Sequence, residues 1–127
     1  MQRLMTRLAL ALALLTMALA VPASASGPVA TASKTCKLTL SQQRNSGSTY
    51  LVQLSASGGA SCATALKVEK AWQSCRRSAA GHTTCKKGVL GYRCKQSVLD
   101  TSKTQYDAKV SCTNGGRKVS FIYTQNK

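Results

Sequence analysis

The chain has 127 residues, with 18 Lys+Arg against 3 Asp+Glu, one His and six Cys, for a formal charge of +15. That length accommodates one domain, and three carboxylates with a single His leave little material for acid–base chemistry. Six cysteines in a short chain point to disulfides in an oxidising compartment, given export.

The first 25 residues read as a secretory signal peptide. Arg3 and Arg7 supply a positive start, and Leu8 to Val21 is an apolar run broken only by Thr16. Pro22 ends the run, and Ala23-Ser24-Ala25 offers small residues at a cleavage site. The run is short for a membrane anchor, which needs roughly 20 apolar residues. Removal of Arg3 and Arg7 with the signal takes two from the formal charge of +15 and leaves +13 on residues 26–127. No later segment is apolar enough to span a membrane, so an exported, extracellular protein without an integral segment is expected. Residues 26–35, rich in Ser, Ala, Thr, Gly and Pro, read as a flexible lead-in.

A single domain is then expected over 36–127. Cys36, Leu38 and Leu40 alternate with polar residues, as in a short strand with one apolar face. Gln42 to Ser48 reads as a loop. Tyr50, Val52 and Leu54 continue the alternation in a second strand, so the two suggest a hairpin. Ser55 to Ala60 breaks the pattern, and Ser61 is a suitable N-cap. From Cys62 to about Arg77 the spacing becomes helical. Cys62, Ala65, Leu66, Val68, Trp72 and Cys75 share one face, with Lys67, Lys70, Ser74 and Arg77 opposite. After a polar loop over 78–88, Leu90, Tyr92 and Cys94 predict a third strand, and 97–104 reads as a polar connection. Tyr106, Ala108, Val110 and Cys112 predict a fourth strand. Asn114-Gly115-Gly116 is a turn signal, and Val119, Phe121 and Tyr123 predict a fifth strand. The expected fold is α+β: an antiparallel sheet of about five strands in the order ββαβββ, covered on one face by a single helix and stapled by disulfides.

The cysteines fit that picture. Cys36, Cys94 and Cys112 fall on apolar strand faces, and Cys62 and Cys75 on the apolar helix face, so bridges between helix and sheet are expected. If one helix carries both Cys62 and Cys75, they stand roughly 20 Å apart along its axis. A disulfide needs Cα atoms within about 7 Å, so these two cannot pair. Cys75–Cys85 is the favoured bridge, leaving two among Cys36, Cys62, Cys94 and Cys112 in an open order. With no Cys-x-x-Cys pair and no His at ligand spacing, neither zinc nor another cofactor is expected.

Ser61-Cys62-Ala63-Thr64-Ala65, Ala71-Trp72, Gly91-Tyr92-Arg93-Cys94, Val110-Ser111-Cys112-Thr113-Asn114-Gly115 and Lys118-Val119-Ser120-Phe121 together resemble small secreted actinobacterial proteins with a Cys-x-x-Ala helix start, a Gly-aromatic-x-Cys strand and a final hairpin. That resemblance spans about residues 61–123. It implies fold and export and supplies no activity. Tyr106-Asp107 and Arg117-Lys118-Val119-Ser120 are more faintly similar to the C-terminal half of the secreted subtilisin-inhibitor family, although Ala108 rather than Pro follows Asp107 and no Cys follows Phe121.

The strand assignments send Lys37, Arg93, Lys95, Lys109 and Lys118 to the sheet face away from the helix, offset there only by Asp107. Such a face attracts polyanions: teichoic acids, anionic glycans, lipid headgroups or nucleic acid. Specific nucleic-acid readout is not expected, because Trp72, Tyr92, Tyr106, Phe121 and Tyr123 fall on core faces rather than on a stacking platform. Glu69, His82 and Arg93 resemble the carboxylate, imidazole and cation of a microbial ribonuclease, but Glu69 sits on a helix and His82 in a loop. No Gly-x-Ser-x-Gly elbow appears. The expectation is a monomeric, secreted, basic, non-catalytic domain that binds anionic envelope or extracellular polymers. A protease-inhibitor-like module is the alternative and a small ribonuclease the third reading.

Overall fold

A computed structural model of the chain describes residues 32–127; the expected signal peptide and residues 26–31 of the lead-in lie outside the described residues. Strand β1 (Lys34–Thr35), helix α1 (Leu40–Arg44), strand β2 (Tyr50–Ser57), helix α2 (Cys62–Ser78) and strands β3 (Arg93–Thr101), β4 (Gln105–Asn114) and β5 (Arg117–Asn126) follow one another. The five strands form one antiparallel sheet in the order β1-β2-β5-β4-β3. The sheet and the long helix are as the alternation and the 3.6-residue period imply. The element order is βαβαβββ, with one helix more than expected.

The extra helix corrects the first predicted strand. Alternation of Cys36, Leu38 and Leu40 suggested an extended segment, but the strand lies earlier, at Lys34–Thr35, and Leu40 is 68% exposed. Thr39 and Gln42 form a capping box. Gln42 N donates to Thr39 Oγ1 at 3.2 Å, and Thr39 N donates to Gln42 Oε1 at 2.9 Å. That reciprocal pair satisfies two amides that a helix start leaves open, which turns the expected loop after Leu40 into a helical turn.

Helix α2 starts where Ser61 caps it, its hydroxyl accepting from Thr64 N at 3.0 Å. Arg76 and Arg77 fall in its last turn, where the helix dipole favours cations. The helix packs on β2 and β5. Trp72 lies at its centre, its ring 5.6 Å from those of Phe121 and Tyr123. Leu51, Leu54, Ala65, Val68, Ala108, Val110 and Val119 complete a close-packed layer. Lys67, Lys70, Ser74 and Arg77 are exposed, as the helical spacing predicts.

The third strand also differs. Val89 and Tyr92 exchange backbone hydrogen bonds of 2.8 and 2.9 Å around Leu90 and Gly91, both at positive φ. Leu90 is therefore a turn residue, 62% exposed, and the strand begins at Arg93. It runs through most of the expected polar connection to Thr101, leaving only 102–104 as the turn into β4. Gly58, at φ +65°, faces the turn between β4 and β5 so closely that a Cβ there would lie 1.8 Å from the Gly116 carbonyl oxygen.

Three disulfides close the domain. Cys75–Cys85 joins the end of α2 to the following loop, as favoured. Cys36–Cys62 ties the segment after β1 to the first residue of α2. Cys94–Cys112 departs from the expectation of helix-to-sheet bridges. The two are register partners on β3 and β4 with Cα atoms 4.0 Å apart, so the bridge forms within the sheet.

Candidate anion-binding face

Side chains alternate across a strand, so the register fixes what each face carries. On β4, Ala108, Val110 and Cys112 point to the helix and are buried. Asp107, Lys109, Ser111 and Thr113 therefore project from the other face. Their partners follow: Arg93 pairs with Thr113 and Thr113 with Lys118, Lys95 with Ser111, and Ser97 with Lys109. Arg93, Lys95, Lys109 and Lys118 thus share the open face across three adjacent strands. Strand spacing of about 4.8 Å puts Arg93 and Lys118 about 10 Å apart. Lys37 is exposed just beyond β1 and has no position in the strand register.

The acids on this side stand at the opposite end. Asp100 and Asp107 face each other across β3 and β4. Asp107 Oδ1 accepts from Thr124 Oγ1 at 2.6 Å, and Asp100 Oδ1 accepts from Thr101 N at 2.8 Å. The cations of the face therefore gather toward the disulfide Cys94–Cys112, while its two carboxylates stand toward the turn at 102–104, where Lys103 and the Lys127 ammonium also lie. Small polar residues lie between: Ser111, Ser120, Ser55 and Gln53.

The ribonuclease-like residues are not brought together. Glu69 is fully buried on the helix side of the sheet, Arg93 projects from the other side, and His82 is exposed in the loop beyond α2. The His82 ring lies against the Arg77 carbonyl. Among the described residues no group of three or more His, Cys, Asp or Glu side chains is placed to hold a metal ion.

The helix also buries a polar row within its apolar face, which a reading of apolar residues alone did not pick out: Glu69, Gln73 and Arg76, spaced one turn apart. Arg76 is only 3% exposed. Its guanidinium donates to Gln73 Oε1 and Gln125 Oε1 at 2.8 Å, and to the His82 carbonyl at 2.8 Å, and lies over the Tyr123 ring. Neither Glu69 carboxyl oxygen accepts a hydrogen bond. Burial pushes the Glu69 pKa up to about 7, an effect that nearby Gln73, Ser46, Lys70 and Arg76 only partly offset. Beside this row, Arg44, Lys70 and Arg77 border an open cleft of about 440 Å3 with the 45–48 turn. The one signal for this cluster was the i, i+4, i+7 spacing of Glu69, Gln73 and Arg76, which an apolar-face reading passes over.

The loop after α2 is braced by Cys75–Cys85, and Lys86 and Lys87 are exposed immediately beyond the buried Cys85. The chain matches no model of a known protein family, no curated protein and no solved structure.

Proposed function

We propose that this is an exported, non-catalytic binding domain whose open sheet face engages anionic polymers of the cell envelope or the extracellular medium. The observation that carries the reading is the strand register, which gathers Arg93, Lys95, Lys109 and Lys118 on one face with hydroxyl and amide side chains between them. A sheet holds these cations at fixed spacing. Binding therefore costs less side-chain ordering than it would for the same charges on a mobile tail. The chemistry is charge neutralisation with counterion release, so affinity falls as salt rises. Three disulfides, together with the absence of any helix among the described residues long and apolar enough to cross a membrane, fit a protein that works outside the cell.

The test is retention on a polyphosphate or sulfated-glycan resin over a salt gradient. The Lys95→Gln/Lys109→Gln protein is expected to elute at clearly lower salt than the Lys67→Gln/Lys70→Gln protein, which loses the same charge from the helix side. Equal elution of the two would reduce the interaction to net charge and end the proposal. The second reading, a protease-inhibitor-like module, is favoured by the Cys75–Cys85 brace beside exposed Lys86 and Lys87. Inhibition of a lysine-specific serine protease, abolished by Lys86→Ala/Lys87→Ala, is the outcome it requires.

A further inference from the structure

Opposed residues in an antiparallel ladder alternate between pairs that exchange both backbone hydrogen bonds and pairs whose N–H and C=O groups point away from each other. Ser102 N donates to the Gln105 carbonyl at 2.8 Å, which makes Ser102 and Gln105 a bonded pair. Counting back along the register, through the irregularity at Leu99, makes Val98/Ala108, Gln96/Val110 and Cys94/Cys112 the non-bonded pairs. The 4.0 Å Cα separation of Cys94 and Cys112 is the close spacing of such a pair. Because β3 is the last strand of the sheet among the described residues, the N–H and C=O groups of Cys94, Gln96 and Val98 face outward along an edge that no described strand pairs. The loop beyond α2 meets this strand through a side chain, Gln96 Nε2 donating to the Thr83 carbonyl at 3.1 Å.

The side chains of the same residues lie on the helix side of the sheet. Helix α2 packs over β2 and β5, and next to β3 an apolar groove of about 500 Å3 stays open. Thr83, Gln96, Val98, Thr101, Tyr106 and Lys127 line it. Val98 and Leu99 are 57% and 53% exposed, adjacent apolar residues on an otherwise polar rim. On the opposite face of the same strand stand Arg93, Lys95 and Ser97. Edge cations normally discourage pairing between copies of a basic chain. Here they repel a second copy and attract an acidic one.

We infer that the β3 edge is a strand-addition site for an extended peptide segment in which apolar and acidic residues alternate. A strand added here bonds to the outward groups of Cys94, Gln96 and Val98. The peptide residues opposite Gln96 and Val98 share their face, so they drop apolar side chains into the groove. The peptide residues opposite Arg93 and Lys95 share the other face and carry the carboxylates. This site shares Arg93 and Lys95 with the open face and adds to them backbone hydrogen bonds and an apolar groove that polyanion binding does not use.

The test titrates the oxidised protein with a labelled peptide of alternating valine and glutamate, about eight residues long. Two further peptides of the same sequence are N-methylated at every other amide, one in each phase. The unmodified peptide is expected to bind, and methylation in one phase only is expected to weaken it about tenfold or more, because it removes the bonds to β3. Val98→Pro removes one outward donor without touching the β3–β4 ladder, since proline is tolerated at such edge positions. It is expected to weaken the peptide while leaving retention on the polyphosphate resin unchanged. The methylation comparison needs no altered protein, so it decides the matter even if Val98→Pro misfolds. No binding of the unmodified peptide, or equal binding of both methylated phases and the parent, would overturn the inference. Equal binding combined with displacement by polyphosphate would assign the peptide to the open face instead.

Discussion

Glu69 has the environment with the plainest consequence. Below about pH 4.5 its carboxyl is protonated in both folded and unfolded chains, so it contributes nothing to the pH dependence. Between pH 4.5 and 7 the unfolded chain releases this proton while the folded one keeps it, because burial holds the pKa up. Stability therefore falls as pH rises through that window and levels off above it, by on the order of 3 kcal/mol for this group. Glu69→Gln removes the titration and keeps the shape. It is expected to raise the urea midpoint at pH 7.5, to change it little at pH 4.5, and to flatten the profile between. The sequence shows a Glu four residues before a Gln and seven before an Arg, a spacing equally at home on a solvated helix face. The helical period places Glu69 on the apolar face beside Ala65 and Cys62, and its burial is completed where the turn at 45–48 closes over the helix. The helical period that sends Arg77 to the polar side places Arg76 among the apolar-face residues, and Arg76 is buried under Gln125 while Arg77 is exposed.

At the scale of elements, the strands with apolar alternation over several pairs, β4 and β5, were legible almost residue by residue. Their alternation and the Gly115-Gly116 turn both act locally. The ends were not. Leu40 and Leu90 read as strand residues because their apolar neighbours lie two apart, yet a capping box and a turn with positive φ claim them. Residues 97–101 read as a connection because β3 is an edge strand, and exposure on both sides erases the alternation that marks a half-buried one. The open-face cations were legible because a period of two fixes their side once the strands are known. Lys37 fell outside because its strand stops earlier. The pairing of Cys94 with Cys112 was hidden by the same missing register, although both residues were placed on one face. The bridge crosses the sheet next to that edge, where no further described strand supports β3. A Cys94→Ala/Cys112→Ala protein is expected to lose about 2–4 kcal/mol in denaturant titration. Faster amide exchange should be confined to β3, while α2 and the β2–β5 pair keep their protection.

For the whole molecule, the three sulfur bridges together weigh about as much as the net stability of the fold. Each bridge is worth typically 2–4 kcal/mol, and a domain of this size has a total stability of about 5–15 kcal/mol. Reduction of all three bridges is therefore expected to abolish cooperative unfolding, or to bring the denaturant midpoint close to zero, as followed by Trp72 fluorescence. Peptide mapping of the oxidised protein is expected to return Cys36–Cys62, Cys75–Cys85 and Cys94–Cys112. Cysteine number and spacing made the need for such bridges legible at once. Only one pair followed from the sequence, because only Cys75 and Cys85 are close along the chain and flank a single loop.

The strand order has a bearing on how such a chain is made. β5 is the last of the five to be synthesised, yet it sits between β2 and β4 and supplies Phe121 and Tyr123 beneath Trp72. Until it arrives, the helix has half its platform and the β3–β4 hairpin has nothing to join. On the export proposed above, a polypeptide that threads a narrow pore as an open string gains from such an arrangement, because the keystone β5 follows the other four strands and early collapse has nowhere to settle.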